Sequence, residues 1–269
     1  MRCPESPQRD AVVAALVAAG AAGVQEVEDG LRTHLPEGAE LSDVEAAVHA
    51  AGSDVSISYS DAGEIDWASR WPARVGVQRV GRIAVAPPWL EDQVADAEIP
   101  IIIEPATAFG TGEHETTRGI LALMQRTVRA GDVVADLGAG SAVLSIAAAK
   151  LGASRVAAVE VDEQAMGNAE ENVERNGVAD RVTIIEGDAA VILPLLAPVR
   201  VVLANIISGV IVELAPAMRA ALAPDGRLIV SGILVSERDD VLAAIAPLGF
   251  ELRAEIADGE WWSAELAPC

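Results

Sequence analysis

Between Val133 and Lys150 an apolar run ends in Asp136-Leu137-Gly138-Ala139-Gly140-Ser141-Ala142, and a helix-forming stretch follows. Gly138 permits a tight turn at a strand end, and Gly140 brings backbone close to a ligand with no Cβ in the way. A strand, a glycine turn and a helix in that order belong to a parallel sheet with crossover helices. From Ile99 onward strand and helix alternate, with a helix expected at Thr117–Arg129, and the downstream pattern repeats the unit. Strands are expected at Arg155–Val161, Val182–Glu186, Val199–Ile206 and Arg227–Ile233. Ser141 and Asp162 are placed to cap the intervening helices, Ser208–Leu222 reads as a helix kinked by Pro216, and another helix runs from about Ser236 to Gly249. These strands are continuous apolar runs, as strands buried on both faces are. The tail changes character, with Phe250–Ile256 and Glu260–Leu266 flanking Asp258-Gly259 as a hairpin. The expected fold is α/β: a doubly wound, mostly parallel, Rossmann-like sheet ending in an antiparallel hairpin.

Glu160 closes the second strand, twenty-two residues after Gly138, where a carboxylate can accept hydrogen bonds from ribose hydroxyls. A dinucleotide fingerprint requires Gly or Ala where this chain has Val143, and no Gly-Lys-Ser/Thr follows for a Walker loop. The remaining pattern, Asp-x-Gly-x-Gly and then an acid, resembles the class I S-adenosylmethionine-dependent methyltransferases, whose ligand has no phosphate. That resemblance implies S-adenosylmethionine as cofactor, held by Gly138, Gly140 and Glu160. Asp188, after the third strand, stands where such enzymes place a contact to the adenine amine; a turn aspartate capping local backbone fits equally well. Asn205 ends the fourth strand, at the crevice where open α/β sheets bind ligands, and an Asn among Val, Leu and Ile is costly to bury unbonded.

The stretch Glu104–Thr117 holds two glycines, Phe109 and a polar cluster with His114. Phe109 is the only Phe, Tyr or Trp between Trp89 and Phe250, which suits stacking over a nucleoside or plugging the loop. His114, between two glutamates, reads either as an orienter of a substrate amine or as a solvated loop histidine. Phe109-Gly110-Thr111-Gly112 with His114 and Thr116-Thr117, then Asp136–Ser141, Ala204-Asn205-Ile206 and Ser231-Gly232-Ile233-Leu234, together resemble the PrmA family. The resemblance spans about Trp67 to Trp261. It implies methylation of protein eleven of the large ribosomal subunit, a small N-terminal recognition domain, and Thr117, Gly138, Glu160 and Asn205 as cofactor-binding positions. Glu160 stands where the family often has Asp, and Ala142 where the wider superfamily often has a third Gly.

Three segments are expected. Residues 1–60 form a small α+β unit: a helix from about Asp10, extended pieces at Val24–Val27 and Leu31–Leu35, a helix from Ser42 to Ala51 and a strand at Val55–Tyr59, with room for a first strand only within Met1–Gln8. Residues 61–95, with Trp67, Trp71 and Trp89, read as a packed connector, and 96–269 as the methyltransferase domain. Ala11–Gly23 imitates a signal peptide, but Asp10 abuts it and its flanking charges balance, so a capped amphipathic helix fits better. The apolar stretches fall short of the ~18 residues of a membrane span.

The net charge of −22 argues against direct nucleic acid binding and favours a basic protein partner. Two cysteines at opposite ends and three scattered histidines encode neither a disulfide framework nor a metal site, and a cytoplasmic setting follows. The chemistry expected is methyl transfer to a lysine side chain or an N-terminal α-amine of the ribosomal protein, with Asn205 orienting the amine. The alternatives are the same fold acting on another protein lysine or a small amine, and a catalytically idle cofactor-binding interaction module.

Overall fold

The computed structural model describes residues 12, 13, 16, 24–27, 30–33, 41–51, 57, 76–105 and 110–269. The chain divides into two compact units, Met1–Ile65 and Asp66–Cys269. In the first, β1 (Val24–Val27) and β2 (Gly30–Thr33) pair antiparallel, and α1 (Leu41–Ala51) follows. Val12 and Leu16, both helical, pack with Val44 and Val48 of α1, with Leu31 and Ile57 against them. Of the strand expected at Val55–Tyr59 only Ile57 is described, and it belongs to no regular element.

The second unit holds two sheets among its described residues. The smaller joins β3 (Gln78–Val80), β4 (Ile83–Ala86) and β5 (Ile99–Ile102), with β3 antiparallel and β5 parallel to β4. Part of the segment read as connector is thus sheet. β5 pairs here because all four residues of β4 are buried and apolar, offering it a partner outside the large sheet. Trp67 and Trp71 lie outside the described residues. Trp89, in the 3-10 turn Pro88–Val94, is exposed; Leu90 and Val94 do the packing expected of it.

The large sheet runs in the order β8-β7-β6-β9-β10-β12-β11. Its strands are β6 (Val133–Leu137), β7 (Arg155–Glu160), β8 (Val182–Glu186), β9 (Val199–Asn205), β10 (Leu222–Leu234), β11 (Phe250–Asp258) and β12 (Trp261–Pro268). The first five are mutually parallel, and β12 turns antiparallel onto β10 with β11 outside it. The helices are α2 (Glu115–Thr127), α3 (Val143–Lys150), α4 (Glu163–Arg175), α5 (Ala189–Leu196), α6 (Ser208–Ala221) and α7 (Arg238–Ile245). Successive strand residues serve opposite faces. Val134, Val201 and Leu203 join the core of α2, α3 and α4, whereas Ala135, Leu137, Val202 and Ala204 join that of α5, α6 and α7. Helices on both faces make the sheet doubly wound, as expected.

Three local expectations change. α2 begins at Glu115, because His114 caps it by accepting from the Thr116 amide. α3 begins at Val143 without a side-chain cap: Ser141, expected to cap it, donates instead to the Gly110 carbonyl at 2.7 Å, and Ala142 takes a left-handed φ of 64°. α5 was not expected. Its apolar run interrupted by Pro194 hid it, and Asp188 caps it.

Candidate active site

The switch point of the large sheet lies between β6 and β9, where the chain departs in opposite directions and leaves a crevice at the strands' C-terminal ends. The glycine turn fills one side of it. The amides of Gly138 and Ala139 both donate to the Val159 carbonyl, at 2.9 and 3.1 Å, and hold the turn against β7. Gly138 has φ 70°, and a Cβ there would stand 2.7 Å from Cγ2 of Ile206, the residue after Asn205. Gly232 has φ 83°, and its Cβ would fall 2.4 Å from the Ile206 carbonyl oxygen. Glycine is therefore required where β6, β9 and β10 converge.

Glu160, almost wholly buried, is the hub of the turn. Its Oε2 accepts from the Gly140 amide at 2.8 Å, and its Oε1 from the amides of Val161 and Asp162 at 2.8 and 3.0 Å. A carboxylate offers about four lone-pair sites, so one remains, on Oε2. Three backbone donors aim the side chain, and the fourth site can take a hydroxyl. The Gly187 amide donates to the Glu160 carbonyl at 2.8 Å, which brings β8 and Asp188 alongside. Asp188 Oδ1 accepts from the Ala190 amide at 2.8 Å, so the capping role is realised.

On the far side of β6, Asn205 Nδ2 donates to the hydroxyl of fully buried Thr117 at 3.4 Å. Strand β9 and helix α2 thus meet at these two polar groups. Gly138, Gly140 and Glu160 form one cluster, Asn205 and Thr117 a second, and Ile206 against Gly138 joins them. Phe109 lies outside the described residues. His114 is not a free loop side chain: its Nδ1 contacts the Thr116 hydroxyl at 2.9 Å, and its ring meets Trp261 edge-on at 5.0 Å.

Three features went unread in the sequence. Asp136 is fully buried; Oδ2 accepts from Ser145 Oγ at 2.7 Å while Oδ1 has no partner. Burial pushes its pKa up to about 6, the Ser145 hydrogen bonds oppose this, and the charge of Glu160 adds to it. Asn172, also fully buried, donates from Nδ2 to the Ser141 carbonyl at 3.1 Å and accepts at Oδ1 from the Glu104 amide at 2.8 Å. Asn176, one turn on, bonds both backbone groups of Ile102. Asparagines at 168, 172 and 176, spaced by four, were the available signal, because they share one face of α4. Ser141 and Asn172 together fasten both ends of the loop from Glu104 to Gly110. Finally, Arg118 donates to Asp258 of the hairpin at 2.7 Å and to the Glu113 carbonyl, tying α2 and the loop before it to β11.

The residues present suit S-adenosylmethionine. A cradle closed to any Cβ, a carboxylate with one open site and an orphaned buried carboxylate oxygen match a ribose and a cationic methionine moiety better than a pyrophosphate. Among the described residues no His, Cys, Asp and Glu group could hold a metal ion, and no helix is long and apolar enough to cross a membrane.

A doubly wound sheet with an antiparallel terminal hairpin and this crevice defines a class I S-adenosylmethionine-dependent methyltransferase. Residues 9–267 match the family described as Ribosomal protein L11 methyltransferase (PrmA), and the chain belongs to that family. A protein of that name from Chloroflexus aurantiacus is 38% identical over 261 residues, covering 86% of this chain and 80% of its own length. One from Heliobacterium modesticaldum is 42% identical over 203 residues, covering 75% of this chain; the chain spans 64% of that relative. The crystal structure of ribosomal protein L11 methylase from Lactobacillus delbrueckii subsp. bulgaricus aligns with a TM-score of 0.65 and 29% identity, covering 71% of this chain and 98% of that one.

Proposed function

We propose that this chain transfers methyl groups from S-adenosylmethionine to amino groups of ribosomal protein L11, on lysine side chains, the N-terminal α-amine or both, in the cytoplasm. The observation that carries the site assignment is the pairing of Asn205 with Thr117 beside the Gly138–Gly140 turn and Glu160. The bound cofactor supplies an electrophilic methyl on a sulfonium, so the protein's task is to orient and desolvate. Glu160 and the Gly140 backbone hold the ribose, Gly138 lets the ligand lie against the strand ends, and Asp188 keeps Oδ2 for the adenine amine. Phe109 covers the nucleoside from the loop.

The acceptor must be neutral to attack. A lysine of pKa ~10.4 is about 99.9% protonated at pH ~7.4, a cost of roughly 4 kcal/mol, whereas an α-amine of pKa ~8 is nearly ready. Asn205 lies at the C-terminal end of the central strand β9, where its side-chain oxygen and neighbouring carbonyls accept from the amine and aim its lone pair at the methyl. Residues 1–60 recognise the basic substrate, and 61–95 connect that unit to the catalytic domain. Calorimetry with S-adenosylmethionine, followed by mass spectrometry of ribosomal protein L11 incubated with enzyme and cofactor, tests the reading. Mass increments of one methyl on L11 are expected; saturable cofactor binding with an unmodified L11 would overturn the substrate assignment.

A further inference from the structure

Four exposed large apolar side chains lie on two short segments at the crevice rim. Ile207 and Val210 follow β9, and Leu234 and Val235 lie where β10 ends; Ile207 is 69% exposed and Val235 44%. The two segments are braced together. Glu237 accepts from Ser208 Oγ at one carboxylate oxygen and from the Leu234 amide at the other, each at 2.9 Å. The Ile206 amide donates to the Ser231 carbonyl at 3.2 Å, and the Val235 amide to the Glu260 carbonyl in the hairpin turn at 2.8 Å. The ridge is therefore a fixed element of the rim, not a loose loop.

Clustered exposed apolar side chains beside a crevice mark an interaction site, since solvent rewards nothing for holding them there. The surrounding charge selects the partner. Glu213, Asp239, Asp240 and Glu260 are exposed around these segments. Arg238, the one base between Ile207 and Val241 apart from Arg219 and Arg227, is engaged by Asp239 at 2.6 Å and Glu255 at 2.8 Å. An apolar ridge inside an acidic rim suits a segment with both apolar and basic side chains.

We propose that Ile207, Val210, Leu234 and Val235 dock the stretch of acceptor protein flanking the methylated amine, apolar side chains on the ridge and basic ones toward the acidic rim. This rests on the reading of the chain as a methyltransferase of a basic ribosomal protein. Ile207 lies two residues beyond Asn205, and an extended chain advances ~3.3 Å per residue, so the ridge meets the acceptor within about two or three residues of the target amine.

Ile207→Asp and Val235→Asp test the surface, both being exposed positions where the fold tolerates a charge. Titration of L11 into enzyme saturated with S-adenosylhomocysteine gives acceptor affinity, steady-state kinetics gives kcat and KM, calorimetry gives cofactor affinity and sedimentation gives self-association. Each variant should weaken L11 binding about tenfold, as loss of a central apolar contact does, with kcat at saturation and cofactor affinity within about twofold. Acceptor affinity within twofold of wild type would overturn the surface. So would loss of a wild-type self-association with acceptor affinity unchanged, which would assign the ridge to a second copy of the chain. A wild-type protein that binds cofactor but leaves L11 unmethylated would overturn the functional reading, and the surface with it, a result distinct from either of the others.

Discussion

Asn205 and Asp136 show how differently two polar side chains at the ends of buried strands are used. Asn205 is half-buried, bonded to Thr117 at 3.4 Å and open to the crevice. Asn205→Ala should lower kcat about 100-fold, the usual effect of removing one oriented polar group from a reacting centre, while circular dichroism stays native. Unchanged turnover would remove Asn205 from the site. Asp136 is fully buried with one oxygen unpaired and a pKa pushed up to about 6. Raised from an ordinary value near 3.8, it makes the folded protein bind more protons than the unfolded chain between about pH 4 and 6, so stability falls as pH rises through that window and is level above it. The shift is worth on the order of 3 kcal/mol of destabilisation at neutral pH. Asp136→Asn should raise the thermal midpoint at pH 7.5 and flatten its dependence between pH 4 and 6. Because the buried charge sits beside Glu160 at the proposed cofactor site, the same variant should bind S-adenosylmethionine more weakly, by calorimetry.

At the scale of elements, the loop from Glu104 to Gly110 depends on two side chains far away in sequence. Asn172 reaches it from α4 and Ser141 from the glycine turn, and the two are bonded to each other through the Ser141 carbonyl. Asn172→Ala leaves the buried Ser141 carbonyl and the part-buried Glu104 amide without this partner, and a buried unpaired group costs about 1–3 kcal/mol. It should lower the thermal midpoint measurably, whereas Ser141→Ala should cost about 1 kcal/mol. Both should raise KM for S-adenosylmethionine several-fold with a smaller change in kcat, because they free Glu104 and Gly110, which flank the proposed cofactor contact Phe109 in sequence, and leave Asn205 in place. Equal effects on KM and kcat would mean that the loop does not wall the cofactor. These ties explain where the sequence is readable and where it stops. The succession of strands and helices, the glycine turn, the hairpin and the positions of Gly138, Glu160 and Asn205 follow from periodicity and local chemistry, which neighbouring residues carry. The partner of Ser141 does not, because a capping serine and one bonded thirty-one residues away look alike in sequence. Likewise β5 reads as the first strand of an alternating pattern, and only the buried apolar run of β4 decides that it pairs elsewhere. Helix α5 was masked by Pro194, whose cost in a helix interior the buried Leu193 and the Asp188 cap offset.

For the molecule as a whole, the distribution of charge matters more than its sum. Residues 1–66 carry three bases against thirteen acids, residues 67–95 four against two, and residues 96–269 twelve against twenty-six. Acid is densest in the N-terminal segment, to which the substrate-recognition role is assigned, and it recurs around the apolar ridge of the catalytic unit. Complementary charge on a basic acceptor acts mainly on encounter and orientation, and salt screens it over about 8–10 Å at physiological strength. A cofactor held in the crevice by close hydrogen bonds, as proposed, would escape most of that screening. Raising salt from ~50 to ~500 mM should therefore lower kcat/KM for L11 about tenfold, through KM, with cofactor affinity changing far less. Deleting residues 1–65, one of the two compact units, removes the densest acid and should leave cofactor binding within about twofold. It should abolish methylation of intact L11 and flatten the salt dependence of whatever transfer remains to a short basic peptide presented to the ridge. A deletion variant that still methylates intact L11 at the wild-type rate would place recognition wholly in the catalytic unit, and the acidity of the first sixty-six residues would then serve solubility alone.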